Sequence, residues 1–113
     1  MIDGLTDSLE RYMDVLSARQ KVVASNIANV DTPGYKTKDI NFQAEFQAAS
    51  YLNNPLPVEV PDLPVKNDGN NVSLDREARL LAENNLRFTL ASVLIRGNLS
   101  TIKTAINEGK TSS

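Results

Sequence analysis

Acid–base or nucleophilic chemistry in this chain would have to rest on carboxylates, lysines and tyrosines, because its 113 residues include no Cys and no His. That removes the commonest general base and metal ligand. It also removes thiolate metal sites and disulfides. No convergent acidic pair and no Gly-rich phosphate loop stands in the sequence. Asn67-Asp68-Gly69-Asn70 matches a fragment of a calcium loop but lacks the alternating acidic ligands and the closing Glu, so it reads as a plain turn. Asn71-Val72-Ser73 and Asn98-Leu99-Ser100 fit the glycosylation sequon, the second in mid-helix, and neither is read as a modification site. The expectation is a non-catalytic protein with no cofactor and no metal.

The bulk numbers exclude further classes. Twelve basic and 14 acidic residues leave a net charge of −2, which gives no electrostatic case for nucleic acid. No apolar run approaches the ~20 residues that span a bilayer. Met1-Ile2-Asp3-Gly4 begins neither a basic nor an apolar leader, so no Sec signal is expected. With three Phe, three Tyr and no Trp, the apolar content is Leu, Ile, Val and Ala, which suits helix–helix packing.

The elements that position these residues follow from periodicity. Leu5, Leu9, Tyr12, Leu16, Val23, Ile27 and Val30 recur at helical spacing, with Asp7, Glu10, Arg11, Asp14, Lys21 and Ser25 on much of the other side. A helix is expected over 5–30, capped by Asp3 or Thr6. It must end near Asp31, because Thr32 precedes a proline. Pro33-Gly34 then fits the centre of a type II turn. In 36–50, Ile40 and Phe42 alternate as in a strand while Phe42 and Phe46 stand at i, i+4. A short helix near 42–50 after an extended stretch is the favoured reading. Residues 51–72 hold four prolines and the run Asn67-Asp68-Gly69-Asn70-Asn71, and are expected to be an irregular linker.

The strongest pattern lies over 74–106. Leu74, Ala78, Leu81, Asn85, Phe88, Ser92, Ile95, Leu99, Ile102 and Ile106 alternate by four and three, the a/d rhythm of a coiled-coil seam. Ser73 is the expected N-cap and Gly109 the expected stop. Asn85 and Ser92 stand at seam positions either as tolerated small polar residues or as devices that fix register. Leu80, Leu86, Leu90 and Val93 lie off the seam, so the helix is apolar on more than one face. The expected fold is all-α: long N- and C-terminal helices packed as a coiled-coil-like domain, with an extended or irregular Pro-rich middle segment. It divides into 1–35, 36–72 and 73–113, forming one discontinuous domain.

One string is more specific than its parts. Asn26-Ile27-Ala28-Asn29-Val30-Asp31-Thr32-Pro33-Gly34-Tyr35 resembles the signature near the N-terminus of bacterial flagellar rod and hook proteins. Lys36-Thr37-Lys38-Asp39-Ile40-Asn41-Phe42, Asn71-Val72-Ser73-Leu74-Asp75-Arg76-Glu77 and Ala82-Glu83-Asn84-Asn85-Leu86-Arg87-Phe88 are similar to proximal-rod members of that family. The resemblance leaves out the linker, which is short for the family. It implies a structural role for Asn26, Asn29, Asp31, Thr32, Pro33, Gly34 and Tyr35 in shaping the bend and its contacts with adjacent subunits. It implies a subunit of a helical tube that transmits torque, located in the periplasmic part of the flagellar basal body. The implied partners are copies of itself, other rod proteins, the inner-membrane ring with its rod adaptor, and the flagellar type III export apparatus. A generic helical adaptor, gripping a partner helix through the same seam, is the alternative.

Overall fold

A computed structural model of the chain describes residues 2–46 and 55–111. The expected helical residues 47–50 and the opening of the linker at 51–54 fall outside them. The elements are α1 (Ile2–Ala28), β1 (Lys38–Ile40), α2 (Phe42–Phe46), β2 (Pro57–Glu59) and α3 (Leu74–Thr111).

α1 and α3 run antiparallel. Asn26 bonds Glu77, Asn84 bonds the Leu16 carbonyl, and Tyr12 bonds Arg87, so residue numbers fall on one helix as they rise on the other. α1 starts at Ile2, which places Asp3 and Thr6 inside the helix rather than at its cap. Ser73 does cap α3, its hydroxyl accepting from the Arg76 amide at 3.3 Å. Gly109 does not stop α3, which continues to Thr111. A glycine ends a helix by adopting a positive φ, and among the described glycines only Gly34 and Gly69 do so.

The middle of the chain corrects the all-α expectation. β1 and β2 form a two-stranded antiparallel ribbon with Lys38 opposite Glu59 and Ile40 opposite Pro57. The Val60 amide extends it by donating to the Thr37 carbonyl at 2.9 Å. A proline fits here because every strand of a two-stranded ribbon has an unpaired edge, where a missing N–H leaves no gap. The end of the segment has neither helix nor strand, yet it packs into the molecule: Asn70, Asn71 and Val72 are buried.

α2 packs beneath α1. Asn41 caps it through the Ala44 amide, and Arg11 closes its far end by donating to the Glu45 carbonyl at 3.1 Å. Phe42 meets Tyr12 edge-to-face with centroids 5.1 Å apart.

The apolar core is small. Among the described residues, Val15, Leu16, Val23, Ile40, Val72 and Ala91 are buried apolar side chains, and seven polar or charged ones join them. Hydrogen bonding therefore shares the work of holding the helices. The molecule is a rod of 73 × 27 × 18 Å. Its radius of gyration is 19.0 Å, against about 13 Å for a compact domain of this length.

Candidate assembly site

The turn after α1 is built as expected from Thr32-Pro33-Gly34-Tyr35. Pro33 presets φ at the second position, Gly34 takes φ +76° at the third, and the Tyr35 amide donates to the Thr32 carbonyl at 3.2 Å. The C-terminal end of α1 is tied off locally. The Asn29 side chain donates to the Ser25 carbonyl at 2.8 Å and accepts from the Thr32 hydroxyl at 3.0 Å. Asp31 and Pro33 are exposed.

Asn26 is the centre of this region and is wholly buried. Its amide nitrogen donates to the Lys38 carbonyl at 2.8 Å and to Glu77 Oε1 at 3.2 Å. Its oxygen accepts from the Tyr35 hydroxyl at 2.9 Å and from the Lys38 amide at 3.1 Å. All four hydrogen-bonding positions of the side chain are thus used. One residue binds α1, the turn, β1 and α3 together. Tyr35 folds back on its own helix through this bond.

A second clasp comes from the asparagine run. Asn70 donates to the carbonyls of Asn29 and Thr32 at 2.8 and 2.9 Å. Asn71 accepts from the Thr37 amide at 2.6 Å, and its carbonyl accepts from the Thr37 hydroxyl at 3.1 Å. The turns themselves touch: the Gly34 amide donates to the Asp68 carbonyl at 2.9 Å. A Cβ on Gly69, itself at φ +86°, would lie 3.3 Å from Gly34 Cα. Lys36 also donates to the Gly69 carbonyl.

Charge completes the joint. Arg19 holds Asp39 through two bonds of 3.0 Å in the bidentate geometry guanidinium favours. Arg76 bridges Asp39 at 3.1 Å and Glu77 at 2.9 Å. Two cations and two anions alternate from α1 through β1 to α3. Glu77 is wholly buried, and its Oε2 has no hydrogen-bond partner. Farther along, the Tyr12 hydroxyl raises the Arg87 pKa above its ordinary value, more than desolvation lowers it.

The seam residues are not the row that faces α1. Leu81 and Ile95 are half-buried beside the contact, but Leu74, Asn85, Phe88, Leu99 and Ile106 are exposed, and the side chain of Ile102 falls outside those described. The contact row is Glu77, Asn84, Ala91 and Asn98, each seven residues on, of which the first three are buried. The helix is rotated so that one of the two apolar rows flanks α1 and the other turns to solvent. The physical reason is the asparagine and glutamate anchors: Asn84 reaches the Leu16 carbonyl at 2.9 Å and Gln20 at 3.0 Å. Asn85 is therefore a surface residue within the single chain. Ser92 folds its hydroxyl back onto the Phe88 carbonyl, 2.9 Å away.

Sequence reasoning missed Thr37, Asp39, Asn70, Asn71, Glu77 and Asn84. Their available signal was the seven-residue recurrence from Glu77 to Asn98, hidden because the row is polar and small. Glu77 also lies in the first turn of α3, where any carboxylate suits the helix dipole, and Asn70 and Asn71 lie in the turn-rich run that ends the linker. Leu86, Leu90, Val93 and Leu94 are all exposed on α3, with Leu86 71% accessible. Both shoulders of that helix therefore present apolar surface. No helix among the described residues is long and apolar enough to cross a membrane.

Comparison with known proteins agrees with this geometry. Residues 13–36, which run from mid-α1 through the turn, match the family described as "Flagella basal body rod protein". The chain is 36% identical to the flagellar basal body rod protein FlgB of Borrelia hermsii, over 74% of this chain and 82% of that one. It is 30% identical to FlgB of Bacillus subtilis over 97% of this chain and 98% of that one. With FlgB of Escherichia coli it shares 30% identity over 96% and 99%. The 138 aligned positions in that last case exceed the chain's length, so the relative carries residues this chain lacks. With likeness of this extent running through both long helices and the turn between them, the chain belongs to the family of flagellar basal body rod proteins FlgB.

Proposed function

We propose that this chain is a structural subunit of the proximal rod, packing with copies of itself and with other rod proteins into a helical tube. The observation that carries the reading is the surplus of apolar surface on α3. Eight large hydrophobic residues of that one helix are exposed, against six buried apolar residues in the whole described chain. A monomeric protein seldom displays so many large apolar side chains on one helix unless it binds something. Distinct patches that meet in a head-to-tail sense build open filaments.

The mechanism is mechanical, with no catalytic step. The buried Asn26 joint and the Arg19–Asp39–Arg76–Glu77 chain make each subunit a stiff lever. Packing of α3 against neighbours then passes torque from the inner-membrane ring and its rod adaptor toward the distal rod and hook. The tube lies in the periplasm, and delivery runs through the flagellar type III export apparatus. Deleting the gene and imaging basal bodies tests this. Cells should keep the inner-membrane ring and lack the rod, and intact rods in the deletion strain would refute the reading.

A further inference from the structure

α3 carries an apolar face that nothing among the described residues covers, and the charges beside it indicate what does. Leu99 and Ile106 are exposed at 47% and 53%. Each follows a cation by three residues, Arg96 and Lys103, which share one side of the helix. Both cations are exposed, and neither has a hydrogen bond or ion pair among the described residues. α3 also outreaches α1. Continuing the antiparallel alignment from the Tyr12–Arg87 bond, the end of α3 lies beyond the start of α1, and residues 103–109 are all exposed.

The complement lies on α1. Asp7, Glu10 and Asp14 recur at three and four, exposed, on the side opposite buried Leu16 and Val23, and unpaired among the described residues. That side points away from α3 of the same chain, so the two rows cannot meet within one molecule. From Asp7 to Asp14, and from Arg96 to Lys103, the helix rises about 10 Å. Antiparallel helices reverse the numbering, so Arg96 faces Asp14 when Lys103 faces Asp7. With Tyr12 level with Arg87, Asp7 lies level with residue 92 of its own α3, so both matches occur together in a second copy of the same orientation displaced by about 16 Å along the long axis.

We propose that the overhanging end of α3 docks on the acidic outer face of α1 in a second copy of this chain. The inference rests on the rod reading and names its register. Exposed ion pairs contribute little to affinity but steer and select partners. Here they set the stagger, while burial of Leu99 and Ile106 supplies cohesion. The acidic face and the overhang are different patches, so the contact repeats without closing.

The chain's lack of cysteine makes the test direct. Full-length chain carrying Asp7→Cys together with Lys103→Cys replaces the parent in motile cells, and isolated basal bodies are oxidised. A ladder of covalent multiples of this chain is expected, and either single substitution should give no ladder. Independently, Arg96→Glu with Lys103→Glu should reduce the fraction of cells with complete rods at least tenfold, and adding Asp7→Lys with Asp14→Lys should restore it. If the cysteine pair blocks assembly, the charge exchange decides alone. Assembled rods without a ladder, a cross-linked product containing a different protein, or charge-reversed cells with normal rods would overturn the interface. Those results leave the rod reading standing if the deletion strain lacks rods; intact rods in the deletion strain remove that reading instead.

Discussion

Replacing Asn26 with Asp tests whether the joint depends on the amide or only on its shape. The substitution is nearly isosteric and keeps the oxygen that accepts from Tyr35 and Lys38. It turns the donating nitrogen into a second oxygen, 2.8 Å from the Lys38 carbonyl and 3.2 Å from Glu77 Oε1. Two donated bonds are lost, and each leaves a buried acceptor facing another oxygen. At about 1–3 kcal/mol for each unsatisfied buried group, the loss is about 2–6 kcal/mol. Two neighbouring carboxylates add repulsion, which Arg76 partly offsets from its 2.9 Å bond to Glu77. A loss of that size is comparable with the whole stability of a small domain, about 5–15 kcal/mol. Thermal and urea melts of the purified chain, followed by far-ultraviolet circular dichroism, measure it. Adding Glu77→Gln should recover at least about 1 kcal/mol, because the glutamine amide can donate to the new carboxylate. A single variant as stable as the parent, or a double variant with no recovery, would refute the account of Asn26 as a donor to both β1 and α3.

Three more outcomes follow from the same geometry. Gly34→Val should block rod assembly more than secretion and cost about 1–2 kcal/mol, since φ +76° disfavours a β-branched residue; Gly34→Asn should be milder, and swarming assays with secretion blots compare them. Gly69→Ala should destabilise more than Gly34→Ala in melts, because its Cβ meets Gly34 Cα at 3.3 Å while a Cβ on Gly34 meets nothing within 4 Å. Asn84→Leu should cost about 1–3 kcal/mol in melts, because it takes away the donor to the Leu16 carbonyl and to Gln20. Melts showing no loss would mean that relieving the partnerless buried oxygen of Asn84 outweighs those bonds.

The two long helices and the turn between α1 and β1 were legible because each rests on local rules. Helical spacing of apolar residues marks α1 and α3. Pro33 and Gly34 have few conformations other than the turn they make. Ser73 caps because an N-terminal amide needs an acceptor wherever the helix lies. The family string at 26–35 likewise reads from order alone.

What faces what was decided by tertiary structure. The a/d rhythm of α3 reports that the helix has an apolar stripe, but not which partner takes it. Within the chain, Glu77 and Asn84 outbid that stripe, because a buried polar group must find its bonds while an exposed leucine can wait for a neighbour. The ribbon was equally hidden: three-residue strands carry almost no periodicity, and Pro57 argues against a strand until the edge it occupies is known. Asn26 shows the division most plainly. The sequence alone determined that it closes a helix ahead of a Pro-Gly turn. Only the fold brings Lys38 and Glu77 to it, from 12 and 51 residues away, and those long-range partners make it the joint of the molecule.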